Sequence, residues 1–257
     1  MARRAREKSE SGIYHIILRG TNRQEIFHDD EDCRRFLKML VKYKKPTGIK
    51  IYGWCLMGNH IHLLFGEGNE EISLTMKRVG VSYASYYNWK YAAVGHLFQD
   101  RFRSEMVDSD TYLLAVIRYI HQNPVKAGLV KKPQDWQWSS CSGYYGKEIY
   151  PAGLLDSELI LGMSSGESVS AITEFRKFNE VANADSCLDN EAIRRFTDDQ
   201  ARAEITKIIS ISEMTQIKNI PKLQRDEILA RIKKIKGITQ RQAARILGIS
   251  ATTMGKA

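Results

Sequence analysis

The sequence is poor in the features that mark secreted and membrane proteins. No apolar stretch among its 257 residues approaches the length that crosses a bilayer, and its first residues lack the apolar segment of a signal peptide. The four cysteines lie far apart and form no Cys-x-x-Cys pair, so neither a zinc knuckle nor a disulfide framework is indicated. With 43% hydrophobic residues, the chain can fold as one or two domains. We therefore predict a globular, cytoplasmic protein with reduced cysteines.

Basic side chains outnumber acidic ones in this sequence. The formal net charge is +9 and the isoelectric point is near 9.3. Lysine and arginine side chains that neutralise phosphates release condensed counterions, which drives binding to nucleic acid. A basic balance also occurs in proteins that bind no polyanion. Nucleic acid is therefore the leading candidate partner. Net charge alone does not establish it, so candidate contact residues have to be identified in the sequence.

A predicted β-hairpin carries the first candidate site. Two apolar runs flank Gly58 and Asn59, whose residue types supply the positive φ that a tight hairpin turn needs. His60 and His62 follow the turn, and because side chains alternate along a strand, both imidazoles point to one face of the sheet. Such a pair could supply two ligands to a metal ion, and further ligands would have to come from elsewhere. The alternative is a pair of polar residues on a solvated sheet face, which is the commoner origin of a bare His-x-His.

The order of predicted elements indicates the fold class. Residue patterns predict a strand at 12–18, a helix from 29 to 46, strands at 49–57 and 60–66, a helix at 71–91, a strand that ends near 107 and a helix from 109 to 122. This β-α-β-β-α-β-α order predicts an α+β fold, a ferredoxin-like antiparallel sheet with helices on one side.

Several polar and cationic side chains near the ends of strands are candidate DNA contacts. Arg19, Asn22 and Arg23 belong to the turn after the first strand, and Arg101 and Arg103 alternate with a phenylalanine before and within the last strand. The helix at 71–91 interleaves tyrosines with lysine and arginine, a pattern that suits unpaired bases. Tyrosines that line the core are the alternative for that helix.

The predicted helix from residue 109 carries two polar side chains four positions apart. Tyr119 and Asn123 would lie one above the other, about 6 Å apart, and can address one small site. The Asn123 oxygen could join His60 and His62 as a third ligand, and a mixed nitrogen and oxygen set suits Mg²⁺ or Mn²⁺. A metal that stabilises the phosphorane would assist attack by the weakly nucleophilic Tyr119.

The separated motifs together resemble the single-tyrosine HUH nucleases, and within them the REP-associated tyrosine transposases. The resemblance covers about residues 10–145. It rests on the segments Gly58-Asn59-His60-Ile61-His62-Leu63-Leu64, Leu97-Phe98-Gln99-Asp100-Arg101-Phe102 and Tyr119-Ile120-His121-Gln122-Asn123-Pro124-Val125-Lys126-Ala127-Gly128, with Arg19-Gly20 and Asn22-Arg23 near the start. Histidine-triad hydrolases would need a third alternating histidine where this chain has Leu64, and metallo-β-lactamases a downstream Asp-His that is missing.

The resemblance implies a reaction and a role for each site residue. Members of this family attack a single-stranded DNA phosphate with the helix tyrosine, which forms a 5′-phosphotyrosine and frees a 3′-hydroxyl. By position, Tyr119 is the nucleophile, His60 and His62 are metal ligands and Asn123 is the third ligand. Tyr112 lies one heptad earlier on nearly the same face, and only the motif excludes it. Lys126, in the same segment, is a candidate DNA contact.

The end of the sequence is predicted to be helical. Residues 240–250 read as a helix-turn-helix in which Gly248 makes the turn and Ser250 caps a second helix, with Thr252 and Thr253 facing DNA. This region resembles the duplex-binding domain of bacterial replication initiators. The sequence ends about two turns into that helix, so we expect a trimmed motif. A small helical bundle that only packs on the catalytic domain is the alternative.

Three regions and one function follow as expectations. We predict a transposase domain at 1–150, a helical connecting region at 151–192 and a helical DNA-binding domain at 193–257. The expected protein is a metal-dependent endonuclease and strand transferase for single-stranded or hairpin DNA, associated with the nucleoid and monomeric rather than dimeric. A DNA-binding protein with a silent nuclease site and an RNA-processing nuclease are the alternatives.

Overall fold

The computed structural model divides the chain into two compact units, Met1–Leu188 and Asp189–Ala257. It describes residues 7–163, 168–183, 185, 187, 196, 198–209, 217, 220–233, 235 and 238–256. In that described part, no helix combines the length and the apolar character needed to span a bilayer.

The first unit is built on a four-stranded antiparallel sheet. Its strands are β1 (Ile13–Arg19), β2 (Lys50–Met57), β3 (His60–Gly66) and β4 (Arg103–Met106), in the spatial order β2-β3-β1-β4. The helices of this unit are α1 (Asp30–Thr47), α2 (Ile72–Lys90), α3 (Asp110–Lys126), α4 (Cys141–Tyr144), α5 (Glu158–Leu161) and α6 (Ser168–Glu180). The predicted α+β class and antiparallel ferredoxin-like sheet are confirmed.

Helices cover both faces of the sheet, so the prediction of helices on one side is wrong. Alternation along β3 sends Ile61 and Leu63 into a core formed with α1 and α2, and Leu64 into a second core formed with α3. The physical reason lies in α3 itself, whose buried stripe includes Val116 and Ile117. That stripe needs an apolar surface of its own, because α1 and α2 already occupy the first face.

The hairpin between β2 and β3 is confirmed, but the reason given for its turn is wrong. Neither Gly58 nor Asn59 has a positive φ. The Gly58 carbonyl instead accepts hydrogen bonds from the backbone of Ile26 and Phe27, at 2.8 and 3.1 Å. Tertiary contacts with the preceding loop therefore shape this turn.

A buried carboxylate joins α1 to α2. Asp32 is fully buried and accepts hydrogen bonds from the His28 amide, Lys90 and the hydroxyls of Tyr86 and Tyr91, at 2.7 to 3.0 Å. Burial alone would raise the pKa of Asp32, but these donors outweigh it and lower the pKa below its ordinary value. The tyrosines of α2 are therefore tied into the fold, as in the alternative that we gave for that helix.

Four helices are described in the second unit: α7 (Asp198–Thr206), α8 (Lys222–Lys233), α9 (Gln240–Ile246) and α10 (Ala251–Lys256). The Thr239 side chain caps α9, and Gly248 between α9 and α10 has a φ of +65°. Ser250 Oγ accepts a hydrogen bond from the Thr253 amide at 3.0 Å, and Met254 is fully buried in the core of this unit. These contacts define the turn between α9 and α10.

Replacing Asp32 by asparagine should destabilise the protein by about 3 kcal/mol at pH 7, because the four donors around this buried position lose their ionised acceptor. Since the pKa of Asp32 is lowered in the folded state, the carboxylate stabilises the fold above about pH 4 and ceases to do so as the pH falls further. The difference between the wild type and Asp32→Asn should therefore shrink in acid. Urea unfolding at pH 7 and at pH 3 measures it.

Glu31→Gln is the matched control for this experiment. Glu31 also pairs with Lys90, at 3.1 Å, but its side chain is 71% exposed, so the expected loss is about 0.5 kcal/mol or less. Equal losses in the two variants would contradict the role assigned to the buried carboxylate.

Candidate active site

Helix α3 carries the candidate nucleophile on its buried side. The Ser109 hydroxyl caps the helix by accepting a hydrogen bond from the Tyr112 amide at 3.3 Å. Leu113, Val116 and Ile120 of α3 are buried against the sheet, and Tyr119 lies beside them with only 3% of its surface exposed. The same apolar stripe that docks the helix therefore holds the phenol ring at the sheet.

The two motif histidines lie together on the face of the sheet that α3 covers. The ring centroids of His60 and His62 are 5.0 Å apart, with the rings nearly perpendicular. His62 is buried, whereas His60 is half-buried at the end of β3. The prediction that the two imidazoles share a face is confirmed.

Tyr119 contacts one member of this pair, His62, and a third imidazole, that of His15. Its ring centroid is 5.7 Å from that of His62 and 5.9 Å from that of His15, each in an edge-on arrangement. His15 belongs to β1 and is fully buried. A phenol from α3 and imidazoles from two adjacent strands therefore meet in one place within a single chain.

Each motif histidine is hydrogen-bonded through Nδ1. His60 Nδ1 lies 2.6 Å from Asn59 Oδ1, and His62 Nδ1 lies 3.1 Å from His15 Nε2. The Asn59 amide nitrogen donates to the Arg23 carbonyl at 3.3 Å, which leaves its oxygen as the acceptor for His60. A cation held by both rings would therefore be bound through Nε2, provided that this nitrogen does not carry the proton.

The environment of His62 favours its neutral form. Burial, together with the nearby His60, His15 and Arg19, lowers the pKa of His62 well below its ordinary value. Only the neutral imidazole ligates metals, so this site does not have to lose a proton from His62 before it binds one.

Asn123 and Lys126 follow Tyr119 on the last turns of α3. Asn123 is half-buried, and its amide nitrogen donates to the Tyr119 carbonyl at 2.9 Å. Because that contact uses the nitrogen, the Asn123 oxygen is the atom with ligand chemistry. The ammonium group of Lys126 lies 4.7 Å from the centroid of the Tyr119 ring. A positive charge therefore stands beside the candidate nucleophile.

Most of the predicted polar and cationic DNA contacts of the first unit lie on the strands and the loop next to the histidine pair. Register places Arg19 opposite His60, and Arg103 in the same row as His62, on the face that α3 covers. Asn22 and Arg23 are exposed in the loop beside Asn59 and adopt φ values of 51° and 62°. Arg101 is exposed just before β4. Thr252 and Thr253 belong to α10 of the second unit.

Tyr112, the other tyrosine that helix geometry left open, has a different environment. Burial and a hydrogen bond to the Glu105 carboxylate raise the pKa of Tyr112 above its ordinary value. A phenol with a raised pKa is a poorer source of phenolate at neutral pH. Tyr119, which contacts His62, is the better placed of the two.

Contacts on its outer side fix the position of α3. Arg118 forms a bidentate ion pair with Asp185, at 2.7 and 3.0 Å. The Gln122 amide donates to the carbonyls of Asn179 and Val181, at 2.7 and 3.0 Å. The end of α6 and the residues that follow it therefore hold the helix that carries the phenol.

His121, next in the motif to the site residues, has a structural role. Its ring nitrogens lie 3.2 Å from Asn179 Oδ1 and 2.9 Å from Ser140 Oγ. Burial lowers the pKa of His121 to about 3, so the ring stays neutral. It joins α3 to α6 and to the start of α4.

The donor set suits a divalent metal whose coordination is completed from outside. In the part of the chain that the structure describes, no group of three or more His, Cys, Asp or Glu side chains could hold a metal ion. His60 and His62 supply two nitrogens, so the remaining ligands have to be oxygens from Asn123, water or a phosphate. Such an open set fits a catalytic Mg²⁺ or Mn²⁺ better than a closed structural zinc site.

Our reading of the sequence missed His15 and Glu105 altogether and gave Asn59 only a turn role. His15 lies in an apolar strand, and only the register of β1 against β3 and β4 brings it beside His62 and opposite Glu105. A polar residue inside a strongly apolar strand was the one available signal, since such a residue needs a buried partner.

Comparisons with known proteins give a family model and named relatives that are similar to this chain. Residues 8–123 match the family model described as Transposase IS200 like. The REP-associated tyrosine transposase of Escherichia coli K12 is 24% identical over 114 residues, which cover 44% of this chain and 66% of that protein. A Haemophilus influenzae protein carries the same name with a provisional label. It is 24% identical to this chain over 165 residues, which cover 59% of this chain and 92% of that protein.

A solved structure, described as a REP-associated tyrosine transposase bound to a REP hairpin, is similar to 65% of this chain and 93% of its own, with 19% identity and a TM-score of 0.48. The family match includes every residue of the candidate site from His15 to Asn123. Residues 8–123 of this chain are therefore similar to the IS200-like transposases, and its named relatives are REP-associated tyrosine transposases.

Proposed function

We propose that the protein is a metal-dependent endonuclease and strand transferase that cleaves single-stranded DNA next to hairpins through a covalent 5′-phosphotyrosine. The observation that carries this proposal is the contact of the Tyr119 ring with His62 and His15, 5.7 and 5.9 Å between centroids. The names of the curated relatives favour a REP element as the substrate. No membrane or protein partner is required.

Tyr119 is the nucleophile in this proposal. Its phenolic oxygen forms a bond to phosphorus and gives up its proton to solvent, the bond from phosphorus to the 3′ oxygen breaks, and that oxygen leaves as a hydroxyl after taking a proton. The 5′ phosphate stays on the tyrosine, so a later attack by a 3′-hydroxyl can rejoin the strand. A divalent metal held by His60, His62 and Asn123 would act as a Lewis acid on the phosphate.

Cations around the site would hold the DNA strand. Arg19 and Arg103 flank the histidines on the sheet, Arg23 is exposed in the adjoining loop, and Lys126 lies beside the phenol ring. These side chains bind the backbone electrostatically and orient the phosphate for in-line attack. Arg101 and Asn22 would extend this contact along the strand.

We further propose that one chain suffices for cleavage and that the second unit binds duplex DNA. Tyr119 and the histidine pair meet within one protomer, so the site needs no exchange of helices between subunits. In the second unit, Thr252 and Thr253 on α10 would face the major groove if α9 and α10 act as a helix-turn-helix.

Tyr119→Phe should abolish the protein–DNA adduct that survives denaturation and leave DNA affinity nearly unchanged, because only the attacking oxygen is removed. Labelled hairpin oligonucleotides incubated with Mn²⁺ and separated by denaturing electrophoresis measure the adduct. Tyr112→Phe should still form it. An adduct that persists in Tyr119→Phe refutes the nucleophile assignment, and wild-type protein that binds the hairpin without any adduct favours a silent nuclease site.

Arg23→Gln should weaken hairpin binding and lower the slope of log affinity against log salt by about 1, because one phosphate contact is lost. Binding titrations at several salt concentrations measure this slope. Lys38→Gln removes the same charge from an exposed position on α1, across the sheet from the histidines, and should leave the slope unchanged. Equal slopes for the two variants would contradict a DNA contact at Arg23.

Cleavage of matched DNA and RNA hairpins separates the proposal from an RNA-processing nuclease. The proposed enzyme should leave a 5′-phosphotyrosine on DNA and cut the RNA hairpin at least tenfold more slowly. Faster cleavage of the RNA hairpin on the same denaturing gels would indicate that RNA, and not DNA, is the substrate.

A further inference from the structure

We propose that His15 and Glu105 are positioning residues that set the tautomer of His62, so that its Nε2 keeps a lone pair for the metal. This inference rests on the proposed function, because it concerns the same site. It starts from the contact between two buried imidazoles, His15 Nε2 and His62 Nδ1, at 3.1 Å. Both rings are almost completely buried, so water does not compete for these nitrogens.

The contact between the two rings can carry its proton in either of two ways. If His15 Nε2 donates, His62 Nδ1 is the acceptor and the proton of His62 is on Nε2, which then cannot ligate a metal. If His62 Nδ1 donates, Nε2 keeps its lone pair and His15 must carry its own proton on Nδ1. The state of His15 therefore decides whether His62 is a ligand.

Glu105 favours the second arrangement. Strand register places it opposite His15 across β1 and β4, and its Oε2 lies 3.9 Å from His15 Nδ1. A carboxylate beside Nδ1 attracts the proton to that nitrogen, which turns His15 Nε2 into an acceptor. At 3.9 Å this contact is longer than a hydrogen bond, so the carboxylate acts on His15 Nδ1 through its charge. The order Glu105, His15, His62 is similar to the carboxylate–histidine arrangement that orients metal-binding histidines, with one more imidazole inserted and a longer carboxylate contact.

The Nδ1 atom of His60 is also held by a hydrogen bond, but its partner is an amide and not an imidazole. The oxygen of Asn59 accepts from His60 Nδ1 at 2.6 Å, and this amide is held in turn by the Arg23 carbonyl. Both motif histidines are thus directed through Nδ1 and leave Nε2 as the ligating nitrogen. Because the two supports come from different strands and loops, they can be tested separately.

The direct test is long-range ¹H–¹⁵N NMR of the metal-free protein, which shows which nitrogen of each imidazole carries the proton. In the wild type, His62 should carry its proton on Nδ1. In His15→Phe and in Glu105→Ala, the proton should shift at least partly to Nε2. The Glu105 side chain is partly exposed, so Glu105→Ala is expected to fold. This variant therefore tests the inference even if His15→Phe does not fold. A His62 tautomer that stays the same in Glu105→Ala, and in any folded His15→Phe, overturns the inference.

A second readout is Mn²⁺ affinity, measured by calorimetry without DNA. His15→Phe should weaken binding by roughly 10 to 100-fold, the usual effect of losing an outer partner of a ligand. His15→Gln, whose side-chain oxygen can take over the acceptor role of Nε2, should recover most of it. Equal weakening in both variants would contradict a role for the acceptor and indicate a packing defect instead.

The two proposals can fail independently. A wild type that binds Mn²⁺ with the expected His62 tautomer yet forms no adduct refutes the proposed reaction and keeps the positioning role. An adduct that forms with wild-type efficiency in both His15→Phe and Glu105→Ala at limiting Mn²⁺ refutes the positioning role and keeps the reaction.

Discussion

The docking of α3 on the second face of the sheet is the contact on which the site depends. Val116, Ile117 and Ile120 bury themselves against β2 and β3, and this apolar contact carries Tyr119 to the histidines. Strand alternation separates the two tasks of β3, since one side of the strand completes the α1 and α2 core while the other presents imidazoles. The side chains of β3 that form the core with α1 and α2 are therefore different from those that form the candidate site.

Polar contacts then give the site its precision. The Arg118–Asp185 pair and the Gln122 amide hold α3 from its outer side, while Asn59 and His15 hold the two imidazoles through Nδ1. These partners come from elements far apart in sequence, as expected where a reactive geometry must be fixed before the substrate arrives. Each of them restrains a helix or an imidazole that the proposed reaction uses.

The sequence predicts much of this arrangement because its strongest signals are local. Strand alternation at His60 and His62, and helix spacing at Tyr119 and Asn123, follow from backbone geometry alone. The side of the sheet that α3 takes, the partner of His15 and the shape of the Gly58-Asn59 turn depend on tertiary packing. No periodicity within β1 indicates that His15 faces Glu105, and the clamp on α3 comes from residues beyond position 178, where we expected only a helical connection.

The proposed reaction requires one cation shared by two strand-borne imidazoles beside the phenol of α3. An anomalous difference map from crystals of the protein soaked in Mn²⁺ tests this requirement. We expect a peak bonded to Nε2 of both His60 and His62 and adjacent to Tyr119. Strong Mn²⁺ peaks elsewhere, with none at these two nitrogens, would contradict it.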